Sequence, residues 1–253
     1  MSPNPTRRVL STFLKCDVKA LLMGGQACIL YGAAEFSRDS DFVILASIEN
    51  LERLKRALRD LDAKQVFLPP LEPAYLERGH ACHFRCSHPE AAGFRIDLMS
   101  VLRGCDSFPR LWERRELADL PEVGALPVLS LPDLVCAKKT QRDKDWPMIR
   151  RLVDADHSRR QARAQSSDIR FWLREARTPA LLKRLAAQHP DLALEEAQSR
   201  HLLRGLPNAT EDQIDRELAV EQDHERRLDR AYWEPLRREL EAMRESTRLD
   251  QRL

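Results

Sequence analysis

A chain of 253 residues, 43% of them hydrophobic, is long enough to bury a core as one large domain or two modest ones. Its formal net charge of +2 is too small to indicate nucleic-acid binding by itself. No apolar run approaches the roughly 18 residues that span a membrane, and the N-terminus lacks the features of a secretory signal. We therefore expect a cytoplasmic protein whose six cysteines are free thiols.

The first predicted elements are helix, strand, turn and helix. A short helix over Val9 to Lys15 is followed by an apolar run, Val18 to Met23, which predicts a buried strand. Gly24 and Gly25 break that strand, and Gln26 to Ala34 has helical character. Glycines at a helix N-terminus let a triphosphate approach backbone N–H groups, where the helix dipole favours anions.

Two aspartates, Asp39 and Asp41, lead into a second apolar run, Phe42 to Ala46. Residues i and i+2 of a strand project from the same face, so both carboxylates can hold one or two Mg²⁺ ions. Acidic pairs at strand ends are common, and the pair alone is a weak signal. A glycine pair fourteen residues earlier, with strand character on both sides, makes the combination more specific.

The segments GGQACILYG and EFSRDSDF resemble the glycine-turn and D-x-D signature of the polymerase-β-like nucleotidyltransferases. Within that superfamily the chain is most similar to the AbiEii-type branch, which includes toxins of type IV toxin–antitoxin systems. Glu35 stands where that branch often has arginine. The positions that match the branch's strand motif are Phe36, Ser37, Asp39, Asp41 and Phe42. The resemblance covers roughly the first 150 residues.

The resemblance implies a nucleotidyltransferase fold, α/β (α+β) with a mixed β-sheet. It implies that Asp39 and Asp41 bind Mg²⁺ (or Mn²⁺) carrying an NTP. Gly24 and Gly25 would cradle the triphosphate, and Ser37 would contribute to nucleotide binding.

The segment after the acidic pair predicts a surface helix, a loop and a strand. Ser47 or Asn50 can cap an amphipathic helix that ends near residue 63. Residues 64–79 contain three prolines and predict a loop, with room for a short edge strand at Gln65 to Leu68. His80 to His88 then alternates like a strand. Its histidines and cysteines would be spread over roughly 26 Å, too far for one tetrahedral zinc site.

Asp97 lies inside a further predicted strand, FRIDLMSV. A carboxylate within an apolar strand is costly unless it is paired or bound to a cation. The resemblance makes Asp97 a third metal ligand or the base that deprotonates the acceptor; alternatively, Arg95 or the backbone satisfies it. In the first case it must lie within about 8 Å of Asp39 and Asp41, because paired metal ions are roughly 4 Å apart.

Residues 116–131 predict a hairpin around residues 121–124, followed by a helix with Ser130 as N-cap. We expect that helix to carry Lys138, Lys139 and Arg142 within about one turn, with a break near Pro147. The segment resembles the branch's second motif, in which a lysine neutralises phosphate charge. The resemblance assigns that role to Lys138 or Lys139, nucleotide binding to Arg142, and orientation of the lysine to Asp145. A solvated basic face is the alternative.

From about residue 155 the strand signals end and apolar residues recur at helical spacing. The polar segment HSRRQARAQSS suggests a boundary between a nucleotidyltransferase-like domain, 1–155, and an all-α helical bundle, 156–253. Pro235 predicts a kink or interruption in the last helix. An arginine-rich start to the bundle suggests either an RNA contact or a solvated face. These arginines are Arg159, Arg160, Arg163, Arg170, Arg174 and Arg177.

These observations predict transfer of a nucleoside monophosphate from an NTP to an acceptor. The resemblance implies RNA (a tRNA 3′ end in some toxins) or a protein as acceptor, and an antitoxin as partner. Two other functions fit the same residues: modification of an antibiotic or other small molecule, and a catalytically inactive binding module. Glu35 and the ambiguity between the two lysines favour the inactive module.

Overall fold

The structure is a computed structural model that describes residues 4–34 and 36–250; Glu35 lies outside this part of the chain. Seven strands form one sheet in the order β3-β4-β5-β2-β1-β7-β6. Strands β2 and β5 are parallel, as are β1 and β7, and the other neighbours are antiparallel. The strands are β1 Ala20–Met23, β2 Asp39–Ile44, β3 Ala63–Gln65, β4 Cys82–Cys86, β5 Arg95–Met99, β6 Glu116–Leu120 and β7 Gly124–Val128.

Helices and strands are interspersed along the chain as far as β7, and the secondary-structure elements described after β7 are all helices. The first six are α1 Pro5–Lys15, α2 Gly24–Leu30, α3 Ile48–Asp60, α4 Pro73–Arg78, α5 Phe108–Glu113 and α6 Leu131–Ala137. The others are α7 Asp145–Arg160, α8 Ser166–Glu175, α9 Pro179–Gln188, α10 Pro190–Glu196, α11 Leu202–Gly205 and α12 Glu211–Asp250. The predicted fold class, a mixed α/β sheet followed by a helical C-terminal region, is confirmed. None of the helices within the described residues has the length and apolarity to span a membrane.

Alternation along the central strands separates an apolar face from a polar one. Phe42, Ile44, Ile96 and Leu98 are at most 1% exposed, and Phe13 of α1 stacks on Phe42 with ring centroids 4.5 Å apart. The residues between them on β2, β4 and β5 project from the opposite face. The apolar face therefore fixes the register, and the register decides which polar side chains meet on the other face.

The chain forms two compact units. The sheet unit comprises Met1–Leu30, Ala34–Ala137 and Ala231–Leu253, and the helical unit comprises Tyr31–Ala33 and Lys138–Arg230. The predicted boundary at 155/156 falls inside α7, because residues of the expected linker are buried there. Asp156 accepts a hydrogen bond from Trp172 Nε1 at 2.9 Å, and the His157 ring meets Trp172 edge-on.

The region after α6 differs from the prediction. The helix that begins after Ser130 ends at Ala137, so Lys138, Lys139 and Arg142 lie in a turn rather than on one helical face. The break expected near Pro147 lies at residues 138–144, between α6 and α7, and Pro147 itself is in the first turn of α7, where a proline removes no intrahelical hydrogen bond. Helix α12 likewise runs through Pro235 without interruption.

The last part of α12 belongs to the sheet unit and is joined to it by Glu239. This carboxylate contacts Nε2 of the fully buried His80 at 2.7 Å and Arg78 Nη2 at 2.6 Å. Hydrogen bonds to a charged group contribute more than neutral ones. The contact therefore holds the end of α12 against the segment between α4 and β4.

Replacing Glu239 by glutamine should lower the free energy of unfolding of the sheet unit by about 2 kcal/mol, since it removes the charge that both partners face. Urea unfolding would measure the loss. Glu241→Gln is the matched control, because Glu241 lies on the same helix and is exposed. Equal stability of the two variants would contradict the role of Glu239.

Candidate active site

Three carboxylates meet on the polar face of the sheet. Asp39 and Asp41 lie on β2 and Asp97 lies on the parallel neighbour β5, with Asp41 paired directly opposite Asp97. One carboxylate oxygen from each residue lies within 4.8 Å of the others. Asp97 is thus well inside the 8 Å that a shared site requires. Within the described residues, these three form the one group of acidic, histidine or cysteine side chains that lie close enough together to hold a metal ion.

The two glycines after β1 make room for this cluster. A Cβ at Gly24 would lie 1.7 Å from Asp41 Oδ2, and a Cβ at Gly25 would lie 2.4 Å from Ser37 Oγ. Gly24 also has a φ of +66°, in the left-handed region that favours glycine. A side chain at either position would displace a polar group of the site. Close approach of Asp41 to Gly24 and of Ser37 to Gly25 therefore explains the glycine pair independently of any phosphate.

Ser37 positions the first carboxylate. Its hydroxyl donates to Asp39 Oδ1 at 3.0 Å and lies 3.2 Å from the Asp39 carbonyl oxygen. Gly25 thus makes room for the serine that holds Asp39, as Gly24 makes room for Asp41 itself. The predicted nucleotide-binding residue Ser37 thus contacts Asp39, the first residue of the acidic pair.

Besides lying in the carboxylate cluster, Asp97 contacts two cationic or ionisable side chains, His83 and Arg95. His83 Nδ1 lies 2.8 Å from its Oδ1, and Arg95 Nη2 lies 3.1 Å from Oδ1 and 2.9 Å from Oδ2. Burial disfavours the charged carboxylate, but the hydrogen bonds and charges of His83 and Arg95 outweigh that penalty and lower the pKa of Asp97. Asp97 is therefore an anion, and Arg95 does satisfy it, as the alternative interpretation proposed.

His83 is the site residue that the sequence analysis missed. His83 lies within the predicted strand His80 to His88, whose histidines and cysteines were considered as zinc ligands and not as neighbours of Asp97. Antiparallel pairing of β4 with β5 sets His83 opposite Asp97. The turn Ala91 to Gly93 could have suggested this register, because it fixes how far the two strands are offset.

The carboxylate cluster has the chemistry of a site for Mg²⁺ or Mn²⁺. Carboxylate oxygens are the ligands these hard cations prefer. Three carboxylates with oxygens within 4.8 Å of one another repel each other unless cations lie among them. The Gly24 position leaves the space that Asp41 needs to join the group. Asp39 and Asp41 would hold an ion, with Asp97 beside them.

In the helical unit, Asp145 organises the turn that follows α6. Its Oδ1 lies 3.3 Å from Lys138 Nζ, and its Oδ2 accepts from Thr140 Oγ1 at 2.6 Å and from Arg142 Nε at 2.7 Å. Lys138 and Asp145 are both largely buried. Burial raises the pKa of Asp145, but the charge of Lys138, the Thr140 hydroxyl and Arg142 together bring it below its ordinary value. The carboxylate thus positions Lys138 and Arg142, two of the three predicted cations of the turn.

Lys139 points to a different partner. Its Nζ lies 2.8 Å from Glu175 Oε2, with both side chains less than 20% exposed. The structure thus separates the two lysines that the sequence left equivalent. Lys138 contacts Asp145, the acidic residue of the second motif, and Lys139 contacts α8.

Asp145→Asn should destabilise the helical unit by about 3 kcal/mol at pH 7, because Lys138 then loses its buried counter-charge. The folded-state pKa of Asp145 is lowered from 3.8, so its stabilisation is present above that pH and is lost as the pH falls below it. Denaturant unfolding from pH 7 to pH 2.5 should show the difference between variant and unmodified protein narrowing below about pH 4. Asp143→Asn, a change at an exposed residue of the same turn, should cost much less.

Most of the arginines at the start of the bundle are ion-paired. Arg170 and Arg174 contact Glu196, and Arg160 contacts Asp168. Arg177 lies over the Trp146 ring, 4.7 Å from its centroid. Acidic neighbours therefore offset much of the positive charge that the sequence presents here.

Comparisons with known proteins place the chain in no family. No protein-family profile matches it, and no curated protein matches it. Among solved structures it is similar to one described as "Crystal structure of putative nucleotidyltransferase from H. pylori". The two chains share 13% sequence identity with a TM-score of 0.39, and the similarity covers 89% of this chain and 93% of that chain. A similarity of this degree establishes neither a common fold nor an activity.

Proposed function

We propose that the protein is a nucleotidyltransferase that moves a nucleoside monophosphate from an NTP to an acceptor and releases pyrophosphate. The observation that carries this proposal is the convergence of Asp39, Asp41 and Asp97 on one sheet face, with oxygens within 4.8 Å of one another. Phosphoryl transfer depends on positioning and on neutralising negative charge, and clustered carboxylates supply both by holding Mg²⁺ or Mn²⁺.

In the proposed reaction, an acceptor hydroxyl attacks the α-phosphate in line with the departing pyrophosphate. When bound, the metal ion neutralises the phosphates and aligns them. Asp39, fixed by Ser37, and Asp41, accommodated by Gly24, would hold that ion. The resemblance makes Asp97 a third ligand or the base for the acceptor hydroxyl, although its hydrogen bonds to His83 and Arg95 and its lowered pKa make it a weak base. Gly24 and Gly25 would also let the triphosphate approach the backbone.

The second motif supplies the remaining assignments. Lys138 would neutralise phosphate charge, with Asp145 orienting it and Arg142 adding a further cation. The contact of Lys138 with Asp145 favours Lys138 over Lys139 for this role. Because these residues belong to the helical unit, their part in the reaction depends on the resemblance to the AbiEii-type branch.

An RNA or tRNA 3′ end, or a protein side chain, is the acceptor that this resemblance suggests. The same resemblance suggests a toxin with an antitoxin partner, acting in the cytoplasm. The paired arginines of the helical unit give an RNA acceptor less support than their number in the sequence suggests. A small-molecule acceptor, such as an antibiotic, fits the carboxylate cluster equally well.

One observation favours an inactive binding module instead. His83 and Arg95 already engage both oxygens of Asp97, which reduces its capacity as a ligand or base. Such a module would bind nucleotide without transferring it.

The decisive experiment incubates the protein with Mg²⁺ or Mn²⁺ and each α-labelled NTP in turn. Cellular RNA, cellular protein and a panel of hydroxyl-bearing antibiotics are supplied as separate acceptors. We expect one acceptor class to become labelled, and the label to be absent with Asp39→Asn/Asp41→Asn. Nucleotide binding without transfer to any acceptor would indicate the binding module. If the protein neither binds a nucleotide nor transfers one, the proposal is overturned.

Lys138→Met should lower the transfer rate about 100-fold, which is typical for loss of one group that stabilises transition-state charge. Lys139→Met should lower it much less, because that lysine pairs with Glu175. The two variants remove the same charge from adjacent residues and so control for each other. Single-turnover rates at saturating NTP, with thermal unfolding alongside, would measure the difference. A larger effect at Lys139 would reverse the assignment.

A further inference from the structure

We infer that Arg95 takes the place of a second metal ion, so that the carboxylate cluster holds one divalent cation rather than two. The inference rests on the proposed function, because it concerns the ion that Asp39 and Asp41 would hold. It assigns to Arg95 a task that two-metal sites leave to an ion, namely neutralising the third carboxylate.

The strand register brings Arg95 to the cluster. Arg95 lies directly opposite Asp39 across β2 and β5, and it precedes Asp97 by two residues on the same face. Its guanidinium therefore extends along the strand to Asp97, where Nη2 lies 2.9 Å and 3.1 Å from the two carboxylate oxygens. Both oxygens face a cation before any ion binds.

His83 contacts Asp97 from the neighbouring strand β4. It lies opposite Asp97 on the far side of β5, and its Nδ1 is 2.8 Å from Oδ1. Asp97 is thus bounded by His83 on one side and Arg95 along its own strand. Its side chain is only 15% exposed, which leaves little room for a further ligand.

A second ion would compete with this arrangement. Mg²⁺ binds carboxylate oxygen at about 2.0–2.1 Å. An ion at that distance from Asp97 would meet the guanidinium that already lies 2.9 Å from the same carboxylate, and the two cations would repel each other. An arginine stays charged throughout the accessible pH range, so its neutralising charge is permanent. The hydrogen bonds and the ion pair of Arg95 within the described residues go to Asp97, and Asp39 and Asp41 are the residues that would hold the first ion.

The test counts Mn²⁺ ions bound per chain by electron paramagnetic resonance, in which free Mn²⁺ gives a signal that bound Mn²⁺ loses. Mn²⁺ alone is the probe, without nucleotide. Asp39→Asn/Asp41→Asn sets the background from weak surface binding. Above that background we expect one ion on the unmodified protein and two on Arg95→Gln. Arg95→Lys keeps the charge and should bind one.

Arg85→Gln is the matched control. Arg85 projects from the same face on β4, opposite Arg95, and is exposed. It should leave the count at one. Thermal unfolding of each variant would show that the fold is intact before ions are counted.

The outcomes separate this inference from the proposed function. Two ions on the unmodified protein, or one ion on a folded Arg95→Gln variant, would overturn the inference and leave the transferase proposal standing. No ion on any variant would overturn the proposed metal site and the inference with it.

Discussion

Asp41→Asn should reduce nucleotide transfer about 1,000-fold while leaving the fold intact. Removing a metal ligand forfeits several kcal/mol of transition-state stabilisation, and each 1.36 kcal/mol corresponds to a factor of ten. Asparagine is close to aspartate in size, so the contact with Gly24 is preserved. The rate of label transfer at saturating NTP measures the effect, and Mn²⁺ binding should weaken in parallel.

Asp119→Asn is the control for this experiment. It makes the same chemical change in the same unit, at an exposed position on β6. It should change the rate less than twofold, as expected for a surface substitution. If Asp41→Asn retained full activity, the carboxylate cluster would not be the catalytic centre.

Gly24→Ala should impair both stability and Mn²⁺ binding. An alanine at a φ of +66° costs about 1–3 kcal/mol from the backbone alone. Its Cβ would also lie 1.7 Å from Asp41 Oδ2, so Asp41 must move. Displacing a catalytic group by about 1 Å can cost roughly 100-fold in rate. Chemical denaturation measures the loss of stability, and Mn²⁺ titration measures the loss of metal binding.

Gly93→Ala is the control that measures the backbone cost of a positive φ without a steric clash between the added Cβ and another residue. Gly93 has a φ of +77°, and a Cβ there would meet no atom within 4 Å. It should lose stability through the backbone alone and keep Mn²⁺ binding and activity.

Mn²⁺ binding without nucleotide also tells apart the two roles of the glycine turn. If Gly24 only cradled phosphate, Gly24→Ala would still bind Mn²⁺ like the unmodified protein. If Gly24 makes room for Asp41, as the contact distances indicate, Mn²⁺ binding is lost before any phosphate is present.

The sequence by itself determined the elements around the site. Alternation of polar and apolar residues in FRIDLM, and the i, i+2 spacing of the two aspartates before the apolar run FVIL, predict which side chains share a face, because the period of a strand is two. The strand character of both segments, the glycine turn and the hairpin over residues 116–128 followed from such local patterns. The helical C-terminal region followed from the same patterns, whereas the mixed α/β sheet was implied by the family resemblance.

Local sequence patterns do not determine which strands pair or in which register they pair. The neighbours of Asp97 depend on its register with β2 on one side and β4 on the other, and residues distant in sequence set that register. His83 was therefore missed, and Arg95 was recognised only as one alternative. The end of α6 before Lys138 was missed for a similar reason, because Asp145 draws Lys138, Thr140 and Arg142 into a turn that helical periodicity does not reveal.

The sequence thus determined that three aspartates would stand on strands, and the tertiary structure decided that they meet. Each local pattern states which face a side chain takes, whereas the distance between two carboxylates depends on the long-range pairing of their strands. The cations that contact Asp97 were decided in the same way, since β4 brings His83 and β5 brings Arg95 to one carboxylate.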